Sequence, residues 1–266
     1  MIETYVQNIK SALGDFTPEV LIILGSGLSV LADKIEGKII IPYTKIGFPK
    51  ITIAGHKGEL IAGKLGGKNV LCMNGRYHLY EGHSPALIKD MMSSYQRLGI
   101  KEIIATNAAG SLRPEMTPGS LMMITDHINF SGQNPLTGVN NDKEGPRFPN
   151  MSDAYDKELQ QKMRQTASEL HIKLFEGTYF FVVGPNFETK AEIKAFRTLG
   201  ADAVGMSTVL EVISAVYFGM KVVGISVITN QSADIQTHAL SHEETLFEAR
   251  QAAVDLQGLI LKFLEK

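Results

Sequence analysis

Phe180-Phe181-Val182-Val183-Gly184-Pro185-Asn186-Phe187-Glu188-Thr189 carries the first clear sign of an α/β fold. An apolar run of strand type halts at Gly-Pro. Thr189 and Glu192 then form a capping box that opens a helix, so Phe187 and Glu188 stand where a strand hands over to a helix. In α/β sheets, ligands bind at that edge. An aromatic ring beside a carboxylate that accepts two hydrogen bonds suits a planar heterocycle carrying N–H groups. Taken alone, a strand-end Phe filling the core and a Glu solvating a helix start explain the same residues.

Outward from this junction, strand-like and helix-like segments alternate, the pattern of an α/β protein. A helix is expected near residues 2–13, followed by the strand Val20-Leu21-Ile22-Ile23-Leu24. Residues 59–74 read as a hairpin turned by Gly66-Gly67, where positive φ is needed. Ser84-Pro85 caps and opens a helix. Strands are expected near 102–107 and 120–126, a long polar loop over 131–152, a helix near 156–171 and a strand over 175–183. Gly205-Met206-Ser207 ends a short strand, and Thr208 with Glu211 reads as a second capping box. Val222 to Ile228 is an apolar strand ending at Thr229-Asn230. Ser241 with Glu244 caps a last helix whose Leu246, Ala249, Ala253, Leu256, Ile260 and Phe263 share one face. No linker or repeat divides the chain, so residues 1–266 read as one domain around a mixed, mostly covered sheet.

Composition narrows the class of function. The 266 residues can bury a substantial core, and 26 basic residues nearly balance 28 acidic ones. No basic run points to a nucleic acid polymer as partner. The single cysteine, Cys72, excludes an internal disulfide and a multi-cysteine metal site, which fits a reducing cytosol. Its apolar setting reads as a buried, inert thiol. No signal peptide is indicated, and apolar runs stop well short of the ~20 residues that cross a bilayer. A soluble cytoplasmic protein is the expectation.

Several short motifs carry chemical content. In Leu24-Gly25-Ser26-Gly27-Leu28, the glycines let backbone N–H groups face an anion and the hydroxyl adds a donor. A plain tight turn explains the same residues, and a small oxyanion suits the motif better than a triphosphate. In Asn74-Gly75-Arg76-Tyr77-His78-Leu79-Tyr80-Glu81-Gly82-His83, an extended backbone would align Arg76, His78 and Tyr80 on one side. Guanidinium and imidazole would then grip a phosphate and the phenol would pack on a sugar; a solvated loop is the alternative. His56 is either an anion contact or a turn residue. Small residues in Thr106-Asn107-Ala108-Ala109-Gly110-Ser111 allow close approach, either of a ligand to the Ala108 N–H or of one strand to another. The Asn230 amide both donates and accepts, which suits a ring with adjacent N and carbonyl groups, though Asn is also a turn former. His242, at the first turn of the last helix, sits where the helix dipole favours a neutral ring able to bond a hydroxyl, or is a surface residue near the cap.

Together these blocks, with Gly55-His56, Val183-Gly184-Pro185-Asn186-Phe187-Glu188-Thr189, Gly205-Met206-Ser207-Thr208 and Thr229-Asn230, closely resemble the trimeric, low-molecular-mass purine nucleoside phosphorylases from about residue 20 to residue 246. The resemblance implies a single-domain α/β phosphorylase/hydrolase-like fold, with a mixed barrel-like sheet flanked by helices, assembled as a homotrimer. It implies phosphorolysis of purine (2′-deoxy)ribonucleosides, with phosphate as co-substrate and no metal or organic cofactor. It places Ser26, His56, Arg76, His78, the N–H of Ala108 and Ser207 on phosphate. Tyr80, Met206 and His242 would hold the sugar, with Phe148 of a neighbouring subunit closing over it. Phe187, Glu188, Val204, Thr229 and Asn230 would hold the base, and Asn230, Glu188, His78 and His242 would carry the chemistry. Asn230 and Glu188 imply a preference for 6-oxopurines, because Glu188 requires an N1–H. The related methylthioadenosine phosphorylases, the runner-up, carry Asp where Asn230 stands. Residues 231–240 depart from the family pattern and correspond to a variable lid, and the His242 register across them leans on Glu243-Glu244. Two other classes compete: a non-catalytic nucleoside-binding protein, and a nucleotide-dependent oxidoreductase built on Gly25–Gly27. The second lacks an acidic residue closing Ile39-Ile40-Ile41-Pro42.

Overall fold

The computed structural model describes residues 1–53, 56–236 and 242–266, without the side chains of 242, 244–245 and 250–252. The strands are β1 (Val20–Ile23), β2 (Glu36–Pro42), β3 (Glu59–Leu65), β4 (Lys68–Asn74), β5 (Glu102–Ser111), β6 (Leu121–Asn129), β7 (Leu174–Phe181), β8 (Ala203–Gly205) and β9 (Lys221–Gln231). The helices are α1 (Ile2–Leu13), α2 (Tyr43–Ile46), α3 (Pro85–Arg97), α4 (Lys157–Glu169), α5 (Lys190–Thr198), α6 (Val209–Tyr217) and α7 (His242–Glu265). Expected elements fall within a few residues of these bounds. The 66–67 turn forms with both glycines at positive φ, and Ser84 caps α3 by accepting from the Ala86 N–H.

The strands make one mixed sheet, part of which closes on itself. β5, β8, β7, β6 and β9 pair in a ring, since β9 returns to β5. From β5 the sheet continues as an open arm through β1, β4, β3 and β2. The expected barrel-like sheet is therefore a five-stranded closed barrel with a strand arm.

Both faces of β1, β3 and β4 are covered, which explains their continuous apolar runs, whereas the edge strand β2 is mostly exposed. Alternation splits β1 between two cores. Leu21 and Ile23 join the core under α1, α3 and α6, whereas Val20 and Ile22 join the one under α4 and α7. Leu71 and Cys72 divide β4 in the same way. Burial pushes the Cys72 thiol far up, so it stays protonated and inert. A third, smaller core of Leu112, Phe180, Ile193, Phe196, Ala201 and Val204 seats α5 against the barrel.

The arm and the barrel meet on one edge of β5. Residues 102–105 pair there with β1, and residues 110–111 with β8. Between them Thr106–Ala109 have no strand on that edge, while the opposite edge stays paired to β9. Gly25, just past β1, closes in on this gap: a Cβ there would lie 2.6 Å from Asn107 Cα. Replacing Gly25 with Ala is expected to destabilise the protein by about 1–3 kcal/mol through forced backbone displacement. Urea denaturation of the variant against the parent chain measures this.

Candidate active site

The opening along β5 is the floor of a cavity of about 290 Å³. Strand ends and the turns that follow them supply its walls. Gly25 and Ser26 come from the end of β1, Asn107–Gly110 from β5, Gly205–Ser207 from the end of β8, and Thr229 and Asn230 from the end of β9.

At the inner end lies Arg76, 1% exposed. Its Nη1, with two hydrogens, lies within hydrogen-bond distance of three acceptors, Thr106 O (3.0 Å), Ser207 Oγ (2.9 Å) and Thr208 Oγ1 (2.9 Å), so one hydrogen is shared between two of them. Nε lies 3.2 Å from Glu211 Oε1, a charge contact without hydrogen-bond alignment, and Nη2 is buried with no hydrogen-bond partner among the described residues. A buried unpaired charge costs several kcal/mol, so Glu211 makes the burial of Arg76 tolerable, and the unused Nη2 leaves capacity for an acceptor. Thr208 and Glu211 thus do not form the expected capping box. The Thr208 side chain makes no cap bond, and both groups turn instead to Arg76.

His56 does not line the cavity but stands behind it. The Arg76 backbone N–H donates to His56 Nδ1 (3.3 Å), which leaves Nε2–H to donate to Ser26 Oγ (3.0 Å). Ser26, which does line the cavity, then has its own hydroxyl hydrogen available for a ligand. His56 orients that donor.

His78 and Tyr80 line the cavity with Arg76, though not as an extended row. Residues 79–81 turn into a short 3₁₀ helix that stacks the Tyr80 ring on His78 at 4.8 Å. Burial, reinforced by the Arg76 cation, lowers the His78 pKa despite the Glu81 carboxylate. Nδ1 faces Glu81 Oε1 at 3.4 Å, so a proton on Nδ1 leaves Nε2 as an acceptor, suited to a protonated oxygen of an anion. Burial pushes the Glu81 carboxyl up, but hydrogen bonds from His78 and Thr52 outweigh it and bring its pKa down to about 2.

The outer end is more apolar. Phe187, Glu188, Val204, Met206, Thr229 and Asn230 all line it. The capping box at Thr189 and Glu192 forms as expected and holds Glu188 at the start of α5. Burial raises the Glu188 pKa, its own backbone N–H offsets part of this, and Glu192 adds to it. Consecutive strand residues normally face opposite sides, yet Thr229 and Asn230 share this wall. A β-bulge lets them, because Ile228 pairs with Ala109 and Asn230 pairs with Gly110. Gly110 makes room for the amide, since a Cβ there would lie 2.9 Å from Asn230 Nδ2. Gly184 does the same for Met206, whose Sδ would be 2.3 Å from such a Cβ.

Twelve of the expected site residues thus meet in one cavity, including Ala108 on the β5 gap. Phe148 does not; it is 87% exposed in the long loop. The His242 side chain and the Ser241–Glu244 cap lie outside the described residues. Sequence reasoning missed Ile53 and Asn107 as lining residues and Glu211 as the partner of Arg76. Asn107 was within a quoted motif, but Glu211 carried only a helix-start signal. Among the described residues, no group of three or more His, Cys, Asp or Glu is arranged to hold a metal ion.

Residues 15–265 match the family model of the phosphorylase superfamily. Purine nucleoside phosphorylase 1 of Bacillus subtilis is 47% identical over 246 residues, covering 92% of this chain and 90% of the relative. Schistosoma mansoni purine nucleoside phosphorylase, solved with inosine, superposes with a TM-score of 0.93 at 37% identity, covering 100% of this chain and 95% of that one. The same relative solved with adenosine also gives 0.93 at 37% identity, covering 100% and 96%.

The low pKa of Glu81 has a consequence for acid stability. Its folded-state value lies below the ordinary 4.5, so its stabilisation is full above pH 4.5 and fades as pH falls towards 2. The stability difference between the parent chain and Glu81→Gln should therefore be largest near pH 6 and shrink between about pH 4.5 and 2. Urea titrations across that range measure it.

Proposed function

The chain belongs to the phosphorylase superfamily, and from that premise we infer its reaction: phosphorolysis of purine nucleosides, with a preference for 6-oxopurines such as inosine and guanosine. The observation that carries this reading is the single cavity with an anion pocket around Arg76 at one end and Glu188 facing the Asn230 wall at the other. Phosphate at the inner end receives hydrogen bonds from Ser26, Ala108 N–H, Ser207 and Arg76, and its P–OH donates to His78. A phosphate oxygen attacks C1′ of the sugar as the C1′–N9 bond breaks. The electron pair leaves with the purine, and the products are free base and (2-deoxy)ribose 1-phosphate. Phosphate also stabilises the cationic sugar electrostatically, so holding it in line is a large part of catalysis.

The leaving purine gathers negative charge at N7 and O6, where the Asn230 amide can donate. Glu188 accepts from N1–H, which inosine and guanosine carry and adenosine lacks. Phe187, 38% exposed, offers its ring to the base, and Tyr80 and Met206 flank the sugar. The Schistosoma relative has been solved with adenosine as well as inosine, so turnover rather than binding is the test of preference. We further place Phe148 over the sugar site of an adjacent subunit in a homotrimer; its exposure supports this. No metal or organic cofactor enters the reaction, and a cytoplasmic setting suits the lone thiol. Among the described residues no helix is long and apolar enough to cross a membrane.

Release of free base from inosine, guanosine, adenosine and methylthioadenosine, with and without phosphate, tests the reading. Phosphate-dependent release from inosine or guanosine is expected. Its absence overturns the assignment, and adenosine cleaved as fast as inosine overturns the preference. Asn230→Ala should lower kcat by two to three powers of ten, since a donor aimed at developing charge contributes about 3 kcal/mol.

Because burial raises the Glu188 pKa above 4.5, the carboxylate is lost as pH falls through that raised value. The KM for inosine should rise on the acid side, and Glu188→Gln should flatten that limb. A monomer mass by light scattering would rule out the role given to Phe148.

A further inference from the structure

Thr208 is fully buried and β-branched, yet its φ is 76° and its ψ is −46°. The Val209 N–H reaches back to Ser207 O at 2.9 Å, which makes Thr208 the central residue of a positive-φ γ-turn. Such turns are rare and strained, and β-branched residues are genuine outliers there. A strained residue persists where its surroundings hold it firmly. Here the side chain is what they hold.

Thr208 Oγ1 accepts from Arg76 Nη1 at 2.9 Å and from Asn107 Nδ2 at 2.9 Å. Two donors thus face the Thr208 oxygen, the Arg76 one with its two hydrogens spread over three acceptors, which leaves the hydroxyl its own hydrogen to donate. Ser207 Oγ lies 3.2 Å away and is the acceptor in reach. Ser207 Oγ also receives from Arg76 Nη1 at 2.9 Å. With donors on both sides of its oxygen, Ser207 has its own proton left for the cavity that it lines.

We propose that Thr208 is the positioning residue of the anion pocket: its hydroxyl, held by Arg76 and Asn107, fixes the Ser207 proton on the cavity side as a donor to phosphate. The proposal rests on reading the inner end of the cavity as the phosphate site. It assigns a use to the strained turn, since a relaxed backbone at residue 208 would carry the hydroxyl away from Arg76 and Asn107. It also explains why the pocket uses a neutral relay beside Arg76. The Thr208 proton points to Ser207 Oγ, and the Ser207 proton points away from the cation towards the ligand.

Three variants test this, with initial rates of base release measured at varied phosphate and at varied inosine, alongside thermal denaturation. Thr208→Val keeps the shape and removes the relay, and should raise the phosphate KM about tenfold while the inosine KM stays within about twofold. Thr208→Ser keeps the hydroxyl and should restore the phosphate KM to within about threefold of the parent. Thr208→Gly relieves the turn, so it should melt no lower than the Val variant and still show the raised phosphate KM. It carries the test should the Val variant not fold. A parent enzyme that releases no base in phosphate overturns the functional reading and this proposal with it. With an active parent, an unchanged phosphate KM in the Val and Gly variants, or equal rises in both KM values, leaves the function standing and overturns the role of Thr208.

Discussion

The cavity exists because two strands share one edge of β5. β1 takes the first part of that edge and β8 the last, and the residues between them pair only with β9. Unpaired backbone donors in a folded core need partners, and on this edge they face a hollow instead of a strand. Every wall of the site is then a strand end or the turn that leaves it, arriving at the same gap from both the arm and the barrel. Closure of the barrel through β9 makes the gap rigid, since β5 stays paired along its whole opposite edge.

Charge at the inner end of the site is balanced by construction. One guanidinium is buried against one carboxylate, and the ring beside it is kept neutral by burial. The remaining polar groups at the inner end are neutral, placed by residues that do not line the cavity: His56 behind Ser26, and Glu81 behind His78. An anion placed there would meet many short dipoles more than net charge, and the paired cation limits the desolvation cost of the empty site.

Much of this was legible from local signals. The Gly66-Gly67 turn, the Ser84 cap and the Thr189–Glu192 box each depend on residues within a few positions of one another, and each forms. The apolar face of α7 follows from helical periodicity and is buried from Ala249 to Phe263. The Thr208–Glu211 reading failed because a partner distant in sequence outcompetes a local cap: Arg76 draws both side chains. Barrel closure was legible only as a family expectation, since nothing in β5 or β9 alone says that they pair. The bulge that turns Thr229 and Asn230 to one side is equally invisible, because it depends on register against β5.

The shared edge also governs when the chain can become an enzyme. β5 is complete at residue 111, but two of its three partners, residues 203–205 and 221–231, come from the last third of the sequence. Pairings so distant in sequence are slow to form, and until they do, β5 presents an open edge of the kind that recruits other strands. During synthesis the arm can assemble early, while the barrel must wait for nearly the whole polypeptide to leave the ribosome. A truncated chain that ends before β9 would therefore be an aggregation hazard, with a finished half-sheet and no site.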